Sequence, residues 1–240
     1  MKEIILDDVC CRIFTSGSPS FILLQPTARH EIPTLESEVE KIAAATDLPF
    51  VLAAFEVKDW TLDLMPWPDR NISRESEAGL RASATLDFVM RSLLPFLEEQ
   101  YGHSGDGAGL PVIIGGYSLG GLFALWASTR TDRFRAVAAA SPSLWIRDWL
   151  PFIKKHPPLA SGIYLSLGDR EEHVKNQAIA RVGDCVRETY RLLAEAPTEI
   201  LSGPKQCALV WETGNHFTDN DGRLARAFGW CMGLFPTKPR

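Results

Sequence analysis

Residues Pro111 to Tyr117 form an apolar strand candidate and Leu119 to Thr129 an apolar helix candidate, and only Ser118 separates them. A chain that passes from strand to helix in one residue brings the two backbones almost into contact, so the flanking positions must be small. Gly115, Gly116, Gly120 and Gly121 meet that need. The pattern over 116–120 is G-x-S-x-G, with the serine at the apex of a strained turn and its hydroxyl exposed. The following helix aims its first amides and its dipole at the same point, where they favour developing negative charge. A plainer reading makes Ser118 an N-cap in a tight glycine turn. The strand before it and the helix after it favour the nucleophile.

The rest of the chain alternates in the same way. Ile4 to Thr15 suits a hairpin, Ser20 to Leu24 and Phe50 to Phe55 suit buried strands, and Leu35, Val39 and Ile42 recur at helical spacing between Thr34 and Thr46. Val57 to Arg70, with two prolines and two tryptophans, is expected as an ordered loop. Ser73 to Tyr101 is expected as a long helix with Leu80, Ala84, Phe88, Leu94 and Leu97 inward, kinked or broken near Pro95, before the glycine-rich connection 102–109. Strands at Phe134 to Ala140, Gly162 to Leu167 and Ala208 to Glu212 follow. A helix from Val174 to about Glu195 and a last one carrying Leu224, Phe228 and Cys231 complete the chain. Such alternation predicts one α/β domain over 1–240, a three-layer sandwich with a mostly parallel central sheet. The segment Ser141 to Leu159, with Trp145 and Trp149, is a candidate lid.

A serine hydroxyl is a weak nucleophile near neutral pH and requires a base and an acid behind it. Of five histidines only His216 follows the last strand candidate, in Gly214-Asn215-His216-Phe217. The acid is expected after the strand ending at Leu167, where Gly168-Asp169-Arg170-Glu171-Glu172 offers three carboxylates. Glu171 stands a turn beyond the glycine and can swing back toward a histidine; Asp169 is shorter and nearer and remains the alternative acid. Glu172 suits the start of a helix. The oxyanion donors are expected to be the Leu119 amide and, because Pro26 has none, the amide of Thr27 or Ala28. Trp60, Trp67, Tyr117 and Trp145 are candidate substrate-binding walls, with core packing as the bland alternative.

Composition narrows the partners. Thirty acidic residues against 25 basic ones leave a net charge of −5 without runs of like charge, which predicts no nucleic acid and no anionic membrane as partner. No stretch approaches the roughly 18 apolar residues of a membrane span, and Met1-Lys2-Glu3 does not begin a secretory signal. A cytoplasmic protein is expected. Five cysteines without a CxxC pair suit neither a disulfide framework nor zinc, and HExxH, G-x-G-x-x-G and P-loop patterns are missing, so neither a metal nor a cofactor is expected. No sequence feature specifies an oligomeric state.

Taken together, Gly116-Tyr117-Ser118-Leu119-Gly120-Gly121-Leu122, Ser141-Pro142-Ser143-Leu144-Trp145, Gly168-Asp169-Arg170-Glu171 and Gly214-Asn215-His216-Phe217 resemble, in order, the blocks of the putative esterase family of α/β-hydrolases. That family includes esterase D-like and ferric enterobactin esterase-like proteins. The resemblance implies the α/β-hydrolase fold and a Ser-acid-His hydrolase of small-molecule carboxylic esters or thioesters. Asp63-Leu64-Met65-Pro66 looks like the family's Asp-Tyr-Thr-Pro block, but Trp60 stands where an arginine is often found. That departure argues against a siderophore or other highly charged substrate. Acyl transfer, peptide cleavage or a non-catalytic binding role on the same scaffold are the competing functions.

Overall fold

The computed structural model describes residues 1–70, 72–73, 79–102, 109–195 and 206–235. Its strands are β1 (Lys2–Leu6), β2 (Val9–Thr15), β3 (Phe21–Thr27), β4 (Phe50–Glu56), β5 (Val112–Tyr117), β6 (Phe134–Ala140), β7 (Gly162–Gly168) and β8 (Gln206–Glu212). They form one sheet in the order β1-β2-β4-β3-β5-β6-β7-β8. β1 and β2 make a hairpin whose two-residue turn, Asp7-Asp8, takes positive φ at both positions (46° and 61°), the primed turn that suits strand twist. β2 runs antiparallel to β4, and every pairing from β4 to β8 is parallel.

Alternation within the strands divides the core in two. Ile22 and Leu24 of β3, with Val51, Ala53 and Phe55 of β4, face one layer of helices; Phe21, Leu23, Phe50, Leu52 and Ala54 face the other. Both faces being apolar, these strands are near-continuous hydrophobic runs, as parallel strands covered on both sides must be. The helices are α1 (Leu35–Ala45), α2 (Trp60–Leu64), α3 (Ala82–Phe88), α4 (Leu94–Tyr101), α5 (Leu119–Ser128), α6 (Trp149–Lys155), α7 (Gln177–Ala180), α8 (Val182–Ala194) and α9 (Asn220–Gly233). Leu35 and Ile42 of α1 and Leu224, Phe228 and Cys231 of α9 cover one face. Buried residues of α3 to α6 and α8 cover the other.

Three elements differ from the sequence expectation. Val57 to Arg70 contains α2, because the Asp59 carboxylate accepts from the amides of Thr61 and Leu62 while Asp63 accepts from Asp59, closing a short capped turn. The long helix starts only at Ala82 and runs continuously to Tyr101, but it contains a π turn over Val89–Leu93, between α3 and α4 and just before Pro95. Proline has no N–H to give the carbonyl four residues back, and the wider turn accommodates it. Leu94 and Leu97 are buried and Phe88 packs, partly buried, against the core, as expected, joined by Ala82, Leu86, Val89 and Leu93; Leu80 and Ala84, both before the π turn, are exposed. The start of that expected helix at 74–78, and 103–108 of the glycine-rich connection, lie outside the described residues. Val174 precedes the helical region, which is capped by Asn176 and interrupted at Arg181. Within 141–159, α6 is anchored by buried Trp149, whose Nε1 donates to Thr189 Oγ1 at 3.0 Å.

Candidate active site

The carboxyl ends of β5, β6, β7 and β8 meet at Ser118. Its backbone takes φ 56°, ψ −117°, a conformation expensive for a residue with a Cβ. The turn is held from both sides: Ser118 N–H donates to Ala140 O at 3.1 Å, and Ser143 N–H donates to Ser118 O at 3.1 Å. One strand further on, Ser141 N–H donates to Ser166 O at 2.9 Å. Gly116 is compelled, since a Cβ there would fall 2.5 Å from the Gly120 carbonyl carbon.

His216 sits in the loop between β8 and α9. Its Nε2 lies 3.0 Å from Ser118 Oγ and its Nδ1 2.6 Å from Glu171 Oε2. Glu171 reaches back over the end of β7: Glu171 N–H donates to Gly168 O at 3.1 Å, and Gly168 N–H donates to Glu171 Oε1 at 2.8 Å. Asp169, the alternative acid, is turned elsewhere. Its Oδ1 accepts from Gly214 N–H at 2.8 Å, and its own N–H donates to Glu212 O, joining the β7 and β8 loops. Glu172 pairs with Arg187. Burial pushes the Glu171 carboxyl up, but hydrogen bonds from His216, Gly168 N–H and Ser141 outweigh it, leaving the group below the ordinary carboxylate range.

Three further side chains, none of them assigned a role from the sequence, surround this line; Ser141 and Ser143 belong to the Ser141-Pro142-Ser143-Leu144-Trp145 block, whereas Arg223 carried no signal. Arg223 of α9 is fully buried; its Nη1 donates to Glu171 Oε1 at 2.8 Å, and its Nη2 donates to the carbonyls of Thr213 and Asn215, each at 3.1 Å. Ser141 Oγ, on a residue with φ 44°, donates to the same carboxylate oxygen at 2.7 Å. Ser143 Oγ lies 3.2 Å from Ser118 Oγ.

The expected walls separate. Trp145 lines a cavity of about 340 Å³ with Ser118, Ser143, Val174, Ile179 and Phe217. Tyr117 turns to the other side of the strand: its hydroxyl donates to His216 O at 2.8 Å, and burial pushes its pKa up to about 12. Trp60 packs near Gly120 and, with Tyr117, borders a second cavity. Trp67 lines neither cavity; it stacks on Trp149 and contacts Phe152, and its Nε1 donates to Arg147 O. α6 supplies the aromatic face against which it packs.

The expected oxyanion donors are placed unequally. Leu119 opens α5, so its amide has no intrahelical acceptor. Thr27 ends β3, pairs with Glu56, accepts from Val57 N–H and borders the second cavity rather than the Ser118 cavity. Ala28 N–H donates to Glu31 Oε2 at 2.8 Å. Among the described residues no group of three or more His, Cys, Asp or Glu is placed to hold a metal, and no helix is long and apolar enough to cross a membrane.

A mostly parallel eight-stranded sheet, covered by helices on both faces and turning into a helix at Ser118, is the α/β-hydrolase fold. The chain belongs to the putative esterase family, whose model matches residues 42–196. It is similar in structure to the siderophore hydrolase EstA of Aspergillus nidulans, at 18% identity, TM-score 0.71, covering 94% of this chain and 90% of that one. It is similar also to an IroE-like serine hydrolase of Shewanella oneidensis, at 14% identity, TM-score 0.70, covering 93% and 75%. A third likeness is to XC6422 of Xanthomonas campestris, described as an α/β serine hydrolase without lid, at 16% identity, TM-score 0.56, covering 99% and 96%. At such identities the likeness is one of fold. No curated protein matches by sequence.

Proposed function

We propose that the protein hydrolyses carboxylic esters through an acyl-enzyme on Ser118. The observation that carries this is the unbroken hydrogen-bonded line from Ser118 Oγ through His216 (3.0 Å at Nε2, 2.6 Å at Nδ1) to a buried Glu171 carboxylate. In this reading Ser118 Oγ attacks the ester carbonyl while His216 Nε2 takes its proton, and the carbonyl electron pair moves onto oxygen, facing the Leu119 amide. Collapse of that intermediate breaks the bond to the alcohol, which leaves with the proton from His216. Water then attacks the acyl-enzyme, giving its proton to His216, and the acid departs as Ser118 Oγ recovers that proton. Glu171 keeps Nδ1 protonated and opposes the positive ring; Ser143 Oγ is placed to donate to Ser118 Oγ, leaving the serine proton directed at His216. Trp145, Val174 and Ile179 make one wall apolar and suit a short aliphatic or aromatic group.

The test is hydrolysis of short- and medium-chain p-nitrophenyl esters by wild type and Ser118→Ala, with fluorophosphonate labelling alongside. Turnover and labelling that both depend on Ser118 are expected. A folded wild type showing neither would favour a binding role. Transfer of the acyl group to an added alcohol in preference to water would make the protein an acyltransferase.

A further inference from the structure

The second cavity, about 610 Å³, lies between the end of β3, α1 and the start of α9. Trp60, Tyr117 and Phe217 give it an aromatic side, and Phe217 also borders the Ser118 cavity. The polar side is unusual. Gln25 of β3 and Glu38 of α1 are only 3% and 7% exposed, yet Gln25 Oε1 and Glu38 Oε1 have no hydrogen-bond partner among the described residues. Asn220 Oδ1, at the start of α9 and on the same cavity, is a third such atom. All three are acceptors, and none of the unpartnered donor groups, Arg81 Nε, Ser166 Oγ and Arg223 Nε, borders this space.

The nearby acids are accounted for differently. Lys41 lies 3.4 Å from Asp221 and 3.9 Å from Asp219, Arg226 pairs with Asp219, and Glu31 accepts from Ala28 N–H. Among the described residues Glu38 is left without a cation in contact, and its carboxyl is pushed up to about 8, chiefly by burial, with Asp221 and Glu31 adding to the rise and a hydrogen bond from the Gln25 side chain and the more distant Lys41 charge opposing it. A few waters could satisfy three acceptors, but a water occupies about 30 Å³ of liquid volume, whereas pockets of about 300–1,000 Å³ hold small molecules.

We propose that this cavity is a binding site for a small organic cation, an alkylammonium group whose N–H bonds meet Gln25, Glu38 and Asn220 and whose carbon chain lies against Trp60, Tyr117 and Phe217. An ammonium carries three donors and no acceptor, matching the three orphaned oxygens, and it supplies the charge that a buried carboxylate lacks. Aromatic faces favour the same charge. On the ester-hydrolase reading the occupant is the amine-bearing arm of the substrate, but binding itself does not rest on that reading.

Calorimetry with n-butylammonium chloride, against n-butanol and potassium chloride, tests the site at pH 8 with no ester present. Butylammonium is expected to bind about tenfold or more tightly than butanol, as a charge-assisted hydrogen bond requires, and Glu38→Gln and Asn220→Leu each to remove much of that difference. Equal binding of the alcohol, no heat beyond the salt control, or binding that survives both substitutions overturns the proposal. Should Glu38→Gln fail to fold, the Trp60 indole N–H resonance, assigned through Trp60→Phe, keeps the test. A shift with butylammonium and not with butanol supports the site, and any other response overturns it. Hydrolysis of p-nitrophenyl esters, which carry no amine, is measured separately, so failure of this site and failure of the ester-hydrolase reading are distinguishable.

Discussion

Arg223 Nη1 lies 2.8 Å from Glu171 Oε1, with both side chains buried, while the other arm of the guanidinium holds two carbonyls of the loop that carries His216. One side chain of α9 thereby fixes an acid from the β7 loop and a base from the β8 loop relative to each other. A bidentate, planar cation can do this where a lysine cannot.

Arg223→Met is expected to reduce unfolding free energy by about 3–5 kcal/mol, the cost of breaking a buried pair and leaving Glu171 uncompensated. It should lower kcat/KM at least tenfold, with Arg223→Lys intermediate. Urea unfolding followed by ester kinetics on the folded fraction checks both.

Glu171→Gln should lower kcat by about 10²–10⁴, since His216 loses the partner that fixes its tautomer. Asp169→Asn retains an acceptor for Gly214 N–H and should cost less than about tenfold, in the range of a single hydrogen bond. The two kcat values at saturating ester decide which carboxylate serves the histidine.

Glu38 gives a pH signature of stability. Its folded pKa of about 8 stands above the ordinary glutamate value of 4.5, so protonated Glu38 contributes stability in full below about 4.5, and this is lost as pH rises toward 8. Glu38→Gln, lacking that titration, should gain on wild type by a few kcal/mol between pH 5 and pH 8. Paired urea titrations at the two values measure the gap; a constant gap would contradict the burial argument.

Gly116→Ala is expected to destabilise by about 1–3 kcal/mol or more, as overpacking does, because the atoms met are backbone of Gly120 and cannot turn aside. A thermal melt of the variant checks this, and near-normal stability would mean that strand and helix can separate at the turn.

Much of the fold was legible because its strands obey simple rules: continuous apolar runs, turn residues between them and helical spacing in α1 and α9. The turn at Ser118 was legible for the same reason, its glycines being forced by contact. Arg223 was not, because an arginine within an amphipathic helix ordinarily faces water, and it is buried by groups distant in sequence, Tyr117, Ser141 and the loops after β7 and β8. Glu38 misled similarly: Leu35, Val39 and Ile42 define the apolar stripe, yet Glu38 is buried with Leu35 and Ile42 while its neighbour Val39 is only partly so. The π turn over Val89–Leu93 was not legible, since periodicity does not register the residue it inserts, although Leu94 and Leu97 beyond it are inward as expected. Trp67 looked like a pocket wall because composition records an aromatic residue without recording what stands beside it.

The ladder bonds that run past the strand ends, Ser118 N–H to Ala140 O and Ser141 N–H to Ser166 O, join the site to the most cooperative part of the molecule. These amides can exchange with solvent only when the central sheet itself opens, so their protection should approach that of the core. Phe217, 85% exposed, and Val174, 39% exposed, make no such ladder bond among the described residues, the Phe217 N–H donating only locally to Asn215 Oδ1. The boundary of the cavity can therefore drift or mutate at little cost in stability, while Ser118 stays fixed to the part of the protein that unfolds last.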